Sequence, residues 1–414
     1  MSRPAAGALL MLAAGWAATL WVSPFSNERV NDLFVYREFA APVLAGGLPY
    51  RDVFFEYPPL AAPVIALPGV LGTAEETFRA AFAGWTILLA GATMLLCGAL
   101  AARTGGSGSR ALFAAAAMPL LLGALVRTHF DLAPVVLLLT GLALLLDGRP
   151  RSGMAVLGVA AVTKGFPIAA APPALAWVAA RYGRRTVLQA AGTLLAALAL
   201  PVLLALAISP SGTLEAVEYQ LERPVQLESA PAMGALLLDA LGAGQAESVQ
   251  SHRSDGLEHP AAGALAAAGL LAMLVALAIV VARSAGGPRA LVLGALTAVL
   301  AFAVLGKVLS PQYLLWLVPL AALAFAWRMH ALTAALAAAA VLTQLEFPAR
   351  YFDLVAREPI AVALVASRNI ALLTALVLAL RELQGGRQQH LLDGERSSVG
   401  VAVDDHRVEP RVLV

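Results

Sequence analysis

Long apolar runs, interrupted by short clusters of charge, make up most of the chain. Twelve of these runs are candidate membrane helices, because a bilayer core needs about 20 mostly apolar residues per helix. They cover residues 5–25, 78–101, 110–126, 131–147, 152–164, 167–180, 186–209, 261–283, 289–306, 311–327, 330–346 and 358–380. The pattern predicts an all-α fold, a polytopic membrane bundle of about twelve transmembrane helices.

The apolar pattern does not decide how two segments cross the membrane. Residues 152–164 and 167–180 are short runs separated by Lys164–Pro167, so they form either two spans or broken, half-spanning helices. Residues 58–72 are apolar but contain four prolines, which favours a short re-entrant helix in the outer leaflet over a full span. A full span there would invert every later loop.

The composition excludes the soluble classes of protein. Hydrophobic residues make up 60% of the chain and charged residues 13%, against about 45–50% and about 25% in soluble domains. A cytosolic enzyme, a disordered chain and a nucleic-acid-binding protein are therefore excluded. The net charge of +2 is too small to indicate a partner. The single cysteine, Cys97, allows neither an intrachain disulfide nor a thiolate zinc cluster.

The few basic residues predict the orientation of the bundle. With the N-terminus inside, the short arginine-bearing turns are cytoplasmic, as the positive-inside rule requires. The acids gather on the other side, in the outer loops 26–77 and 210–260 and in shorter turns. This predicts a multi-pass plasma-membrane protein with both termini cytoplasmic. Residues 1–381 would form the transmembrane domain, and the polar residues 382–414 a disordered tail.

The first apolar run has an alternative explanation as a secretory signal peptide, because Arg3 precedes it. Its length, and the lack of a convincing small-residue cleavage site before Pro24, favour an uncleaved first helix.

The first outer loop combines acids, arginines and aromatic residues. Between Asn31 and Leu44 apolar residues recur at helical spacing, which predicts an amphipathic helix on the outer interface. Gly46 and Gly47 end this helix. An acid beside an interfacial helix, here Asp32, is well placed to act on a lipid head group. A solvated loop with aromatic anchors explains the same composition.

Several motifs connect this loop with later parts of the chain. They are Asp32-x-x-x-Tyr36, Gly46-Gly47, Pro49–Asp52, Glu56–Pro59, Phe130-Asp131-Leu132-x-Pro134, Lys164-x-x-Pro167, Arg223-Pro224-x-Gln226–Ser229 and Ser310–Leu314 with Trp316 and Pro319. In order and spacing they resemble glycosyltransferase family 87, over roughly residues 25–325. Each motif is weak alone, and together they are specific to the family but not to one substrate.

The resemblance implies a GT-C fold with a catalytic acid in the first outer loop. The family includes polyprenyl-phosphate-mannose-dependent α-mannosyltransferases. It therefore implies transfer of a hexose, mannose first, from a polyprenyl-phosphate donor to a lipid-linked or envelope glycan on the outer face. Asp32 matches the general base of the family. A carboxylate can take the proton of the attacking hydroxyl, and a single inverting displacement needs no second carboxylate nucleophile.

The leaving polyprenyl phosphate requires cations or amide donors nearby. The residues expected to bind substrate are Tyr36, Glu56, Tyr57, Arg127, His129, Asp131, Lys164, Arg223, Glu228, Lys307, Gln312 and Tyr313. Lys164 is the most telling, because a lysine among apolar helices needs a partner or a cavity. Phosphate binding and snorkelling are its two explanations.

Structural explanations stay open for several of these residues. Asp32 could form only a loop salt bridge with Arg29 or Arg37. Glu56 orients a hydroxyl or caps the proline turn. The turn Arg127–Asp131 either binds phosphate or is a solvated hairpin tip.

The long outer loop offers less definite chemistry. Arg223, Glu228 and Ser229 form either a structural ion pair or an acceptor contact. A cluster of histidines and acids has neither the spacing nor the ligand set of a metal site; its members are His252, Asp255, Glu258 and His259. Neither a metal nor a cofactor is expected, and the sequence contains no Walker or dinucleotide-binding motif in a suitable context.

Two other classes of function compete with the transferase. One is a transporter or flippase of lipid-linked saccharides, and the other is a non-catalytic scaffold for envelope assembly. Against transport, no ionisable residue is identified at mid-membrane, the polar groups gather on one side, and no internal repeat is evident. The expected partners are the sugar donor, the glycan acceptor and membrane lipids, without nucleic acid; the sequence does not indicate an oligomeric state.

Overall fold

The computed structural model describes residues 2–404, and side chains up to residue 384. The described chain is mostly helical. Its α-helices are α1 Arg3–Trp21, α2 Leu33–Leu44, α3 Ala61–Ala66, α4 Glu75–Arg103, α5 Gly108–Ala116, α6 Met118–Leu122, α7 Leu125–Thr128, α8 Leu132–Leu146, α9 Pro150–Thr163, α10 Ala171–Ile208, α11 Pro210–Glu222, α12 Ala230–Ala240, α13 Ala262–Arg283, α14 Pro288–Leu305, α15 Leu314–Ala326, α16 His330–Glu346, α17 Tyr351–Val355 and α18 Pro359–Asp404. Short 3-10 turns cover Leu67–Leu71, Phe166–Ala170 and Pro311–Tyr313.

Among the described residues, six helices are long and apolar enough to cross a membrane. They are Arg3–Trp21, Glu75–Arg103, Phe166–Ile208, Ala262–Arg283, Pro288–Leu305 and Pro359–Gln384. Several shorter apolar helices accompany them, including α8, α15 and α16. The chain is therefore a polytopic helical membrane protein, as predicted. The count of about twelve spans, the orientation and the location stay predictions. So does the disordered tail 382–414, which falls partly outside the described residues.

The structure defines the secondary structure of two segments that the apolar pattern left uncertain. Residues 58–72 contain α3 and the 3-10 turn Leu67–Leu71. At about 1.5–2 Å per residue this element is far shorter than the roughly 30 Å bilayer core. The runs 167–180 and 186–209 join in α10, with a break at Gly183, whose φ of 78° and ψ of 178° are not helical.

The expectation of an all-α fold is wrong in the long outer loop. Residues 210–260 contain α11, α12 and a small antiparallel sheet. Its strands, in the order β1-β3-β2, are β1 Val225–Gln226, β2 Glu247–Ser251 and β3 Ser254–Glu258. The loop lacks a long apolar run between α11 and α13, and two short strands joined by a tight turn satisfy their backbone groups through each other.

A compact aromatic cluster forms beside the main bundle. It joins α2, α3, the start of α4 and Phe130. The buried rings belong to Tyr36, Phe39, Tyr50, Phe55, Phe78, Phe82 and Phe130. Aromatic side chains bury large areas in preferred edge and stacked geometries. The cluster thereby holds the first outer loop rigidly against the ends of the helices that carry the charged candidates.

Candidate active site

Asp32 lies directly before α2, at the N-cap position. The helix was predicted over residues 31–44 and is observed over Leu33–Leu44, which confirms it. The Asn31 side chain fixes the turn by accepting from the Leu33 amide at 3.0 Å and donating to the Glu28 carbonyl at 2.7 Å. The Asp32 side chain remains 34% exposed. A carboxylate on a fixed backbone is therefore open to a ligand.

Tyr36 holds one oxygen of this carboxylate. Its hydroxyl donates to Asp32 Oδ2 at 3.2 Å. Its ring is buried between Phe82, stacked at 5.4 Å, and Phe130, edge-on at 5.4 Å. Burial, and next the charge of Asp32, raise the pKa of the Tyr36 phenol well above its usual range. Tyr36 therefore stays a hydrogen-bond donor to Asp32.

His129 approaches the same oxygen of Asp32, with Nε2 at 3.5 Å from Oδ2. Its Nδ1 lies 3.0 Å from the Thr128 hydroxyl oxygen and 3.3 Å from the Leu125 carbonyl oxygen. Because the Thr128 hydroxyl donates to the Ala124 carbonyl at 2.9 Å, both neighbours of Nδ1 act as acceptors. This network is satisfied by a hydrogen on Nδ1, and Nε2 is the ring nitrogen that faces the carboxylate.

The neighbours expected for Asp32 are engaged elsewhere. The Arg37 guanidinium lies 3.9 Å from Glu75, and Arg29 lies over the Phe352 ring at 5.1 Å. The loop salt bridge that competed with a catalytic role is not formed.

Lys164 has the partner that the sequence required. It follows α9, and its ammonium donates to Asp131 Oδ2 at 2.7 Å. Trp316 Nε1 donates to the other oxygen, Oδ1, at 2.6 Å. Asp131 is fully buried, whereas Lys164 keeps 12% of its side chain exposed, with its ammonium 4.5 Å from the centre of the Phe130 ring. Because an ammonium carries three hydrogens, two of them remain for a ligand.

A stack of three rings fixes this pair. Trp316 lies between Phe166 at 4.1 Å and Tyr313 at 3.6 Å, measured between ring centres. Gln312, one residue earlier, bonds with Ser310. The turn after Lys164 and the start of α15 are thus held together beneath the polar groups.

Arg127 lies in a different environment from its neighbour His129. Its guanidinium pairs with Glu28 and donates to the Thr19 carbonyl at 3.0 Å. Glu28 also pairs with Arg79. Arg127 therefore connects the end of α1 to the first outer loop. Because Arg127 is buried, the turn Arg127–Asp131 is not a solvated hairpin tip.

Glu56 and Tyr57 line the same region from the first loop. Burial raises the pKa of the Glu56 carboxyl, while the charges of Arg223 and Arg253 oppose that rise. The Glu56 carbonyl accepts from Gln220 Nε2 at 2.9 Å, which joins the two outer loops. The Tyr57 ring packs edge-on against Phe130 at 5.3 Å. The N-cap residue of α3, Leu60, forms no side-chain cap, and the two explanations for Glu56 stay predictions.

Arg223 and Lys307 lie at the edge of this region, around an open cleft of about 690 Å³. The Lys307 ammonium donates to the carbonyls of Leu221 and Arg223 at 2.7 and 2.8 Å. It thereby closes the C-terminal end of α11. The Arg223 guanidinium donates to the Ser254 hydroxyl at 3.2 Å.

Of the two alternatives for Arg223, Glu228 and Ser229, the ion pair between Arg223 and Glu228 does not form, and the acceptor contact stays a prediction. Ser229 caps α12 through its side chain, and Glu228 is buried with Arg368 at 3.6 Å. Arg368 was not among the predicted site residues, although an arginine inside an apolar span is itself a signal. Its burial there weakens the argument from charge against a transporter.

The histidines of the long loop have structural contacts. The His252 ring packs on Tyr219 at 4.6 Å, and His259 Nδ1 accepts from the Ala261 amide at 3.0 Å. Within the described residues, no group of three or more His, Cys, Asp or Glu side chains is arranged to hold a metal ion.

The structure thus gathers one subset of the predicted site around Phe130 and Trp316. Its members are Asp32, Tyr36, Tyr57, His129, Asp131, Lys164 and Tyr313. A family model, glycosyltransferase family 87, matches residues 54–311. The chain belongs to glycosyltransferase family 87. The predicted resemblance is confirmed, and the chain is a membrane glycosyltransferase that uses a sugar donor and an acceptor.

The family match covers four of these seven residues and ends before Tyr313. It includes His129, Asp131 and Lys164 but begins after Asp32 and Tyr36. A search of curated proteins finds no match to this family 87 chain.

Proposed function

We propose that this family 87 enzyme transfers a hexose, mannose first, from a polyprenyl-phosphate donor to a lipid-linked or envelope glycan on the outer face of the plasma membrane. Asp32 is the general base. The observation that carries the proposal is the exposed Asp32 carboxylate, with Tyr36 donating to one oxygen, His129 facing it and Lys164 close to the same aromatic cluster.

The chemistry is a single displacement with inversion at the sugar. An acceptor hydroxyl oxygen attacks the anomeric carbon, and a new C–O bond forms. The bond between that carbon and the phosphate oxygen breaks, and its electron pair leaves with the phosphate. The hydroxyl proton passes to Asp32. His129 Nε2, 3.5 Å away, stabilises that proton or receives it.

Lys164 supplies the positive charge for the leaving phosphate. Its bond to Asp131 leaves two ammonium hydrogens free for phosphate oxygens. A preformed cation in a water-poor site stabilises developing negative charge without reorganising. Tyr57 and Phe130 form apolar walls around it.

An apolar groove of about 260 Å³ offers a place for the lipid chain. It lies between α5, α6, α15 and α16, and aliphatic side chains form nearly all of its wall. Its wall includes Leu314, which directly follows Tyr313 of the ring stack. A chain in this groove would place its phosphate near Lys164.

The decisive experiment compares Asp32→Ala and Asp32→Asn with the wild type, using a panel of polyprenyl-phosphate sugars. Loss of the general base lowers the transfer rate by on the order of 10²–10⁴, while membrane insertion and the thermal midpoint stay close to wild type. Glu76→Gln, an exposed acid on α4, is the matched control and retains activity. Unchanged transfer by correctly inserted Asp32→Ala protein contradicts the proposal, and movement of the donor lipid without transfer favours the transporter.

A further inference from the structure

Arg368 is a buried charge inside the apolar part of α18. It is 1% exposed. Its Nη2 donates to the Glu228 carbonyl, and Asn369 Nδ2 donates to the same oxygen at 3.1 Å. Its Nη1 lies 3.6 Å from Glu228 Oε1. Two adjacent side chains of the last span thus hold one residue of the long outer loop.

A second buried acid, Glu346, lies close enough for its charge to act on Glu228 and for the charge of Arg368 to act on it. Glu346, the last residue of α16, is 1% exposed, as is Glu228. Both oxygens of the Glu346 carboxyl and Oε1 of Glu228 are buried without a hydrogen-bond partner in the described part of the chain. The second oxygen of Glu228 accepts from Gln226 Nε2 at 3.4 Å. The cluster therefore contains unfilled acceptor positions next to a guanidinium.

The charges in the cluster do not balance if both acids are ionised. The Arg368 guanidinium neutralises one carboxylate, so ionisation of both Glu228 and Glu346 leaves one negative charge in excess. An uncompensated charge in an apolar interior is costly, and the group takes up a proton instead. When two nearby buried carboxyls cannot both ionise, one of them stays protonated.

We propose that one of the two buried carboxyls, Glu228 or Glu346, keeps its proton, and that these acids, with Arg368 and Asn369, lock the long outer loop onto α16 and α18. The lock is stable when the proton is bound. It weakens when the proton leaves, because two buried carboxylates then repel each other beside a single guanidinium.

The groups that face the pair come from every element packed around it. Arg368 and Asn369 come from α18, and Gln226 comes from β1. Asp255 of β3 adds negative charge, and its carboxylate accepts from the Tyr351 hydroxyl of α17 at 2.5 Å.

The pH dependence of the lock has a definite sign. Burial first, and then the charge of Glu346, raise the pKa of the Glu228 carboxyl well above its usual range, against the opposing charge of Arg368. A carboxyl whose pKa is higher in the folded state stabilises the fold fully below its ordinary pKa. That stability is lost as the pH rises through the folded-state pKa.

The lock also reaches the proposed site. The segment that Arg368 holds contains Gln226, whose backbone N–H donates to the Lys307 carbonyl at 2.9 Å. It also contains Arg223, whose charge acts on Glu56. The inference does not depend on the donor or on the role of Asp32, because its readout is folding.

The experiment is thermal unfolding of the full-length protein in lipid nanodiscs between about pH 5 and about pH 8. The wild-type Tm is expected to fall as the pH rises. Glu346→Gln removes the excess charge, so its Tm should fall less over the same range. Glu76→Gln, which changes an exposed acid, should keep the wild-type slope. An equal fall of Tm in the wild type and in Glu346→Gln overturns the proposal.

A second measurement covers the case in which Glu346→Gln does not accumulate. Hydrogen exchange of the wild-type amides in residues 223–229, corrected for intrinsic rates, should increase at the higher pH relative to amides in α14. If the ratio between the two segments does not change with pH, the lock does not depend on a proton and the proposal is wrong. Because neither readout uses sugar transfer, failure of the lock and failure of the transferase proposal are distinguishable.

Discussion

Lys164 and Asp131 show how this protein keeps charges within an apolar bundle. Asp131 is fully buried and accepts from both Lys164 and Trp316. A buried ion pair adds little net stability when it is complete, because desolvation offsets the attraction. Removal of one partner leaves the other charge unpaired and is strongly destabilising. The cost of breaking the buried pair therefore keeps Lys164 and Asp131 together in the proposed site.

We expect Lys164→Met to lower the free energy of unfolding by about 3–5 kcal/mol, because it leaves the buried Asp131 carboxylate without its charged partner. The matched control is Arg350→Met, which removes an exposed pair with Asp353 at 3.8 Å and should cost about 0–1 kcal/mol. Denaturant unfolding of both variants in the same detergent measures the difference. Equal costs for the two variants would show that the Lys164 pair is not isolated from water as described.

Asp32 shows how far single residues were predictable. Its position at the start of an interfacial helix followed from the apolar spacing of residues 31–44 and from the family motif. Its partner did not follow, because His129 is distant in the chain and only the packing of Phe130 against Tyr36 brings it to the carboxylate.

Among the helices, α10 departs most from a simple span. Its two apolar stretches meet at Gly183, whose φ of 78° and ψ of 178° lie in a region that is essentially restricted to glycine. The apolar pattern predicted two runs, 167–180 and 186–209, and the non-helical backbone at Gly183 divides α10 between them. The arginines between the runs, Arg184 and Arg185, are exposed.

We expect Gly183→Ala to destabilise the protein by about 1–3 kcal/mol, because a Cβ strains this backbone conformation. A Cβ at Gly183 meets no atom within 4 Å, so any loss is conformational and not a clash. Gly192→Ala is the control, since Gly192 lies within the same helix and also has open space around it. It should be neutral or stabilising by up to about 1 kcal/mol. If the thermal midpoints of the two variants do not differ, the break at Gly183 does not form.

The two outer loops form one unit through close backbone contact. A Cβ at Gly212, in the first turn of α11, would lie 1.9 Å from the Tyr50 carbonyl oxygen. Nearby, the Phe54 and Tyr219 rings pack at 5.1 Å. Sequence spacing within either loop does not predict contacts between them, because they are separated by several membrane helices.

At the scale of the whole molecule, the described helices establish a polytopic bundle, and the side of each loop is predicted from the distribution of arginine. The short element α3 with its 3-10 turn supports a re-entrant segment, since it is too short to span. This one segment decides on which side every later loop lies.

We expect a reporter fused after Gly72 to lie outside the cytoplasm and one fused after Gly105 to lie inside, because α4 crosses the membrane between them. A phosphatase reporter and a cytoplasmic fluorescent reporter at each site give opposite signals. A cytoplasmic signal after Gly72 would mean that residues 58–72 cross the membrane and that the predicted orientation is inverted from there on.

The sequence alone determined that this is a helical membrane protein, where its apolar segments lie and which family it resembles, because these properties depend on local composition and on the order of short motifs. Tertiary structure decided which charges meet. It paired Asp32 with His129, Lys164 with Asp131 and Glu228 with Arg368, each across a long stretch of chain. The physical reason is that a buried charge must find a partner wherever the packing of helices places one. Side-chain packing across the bundle carries that information, and periodicity along the chain does not.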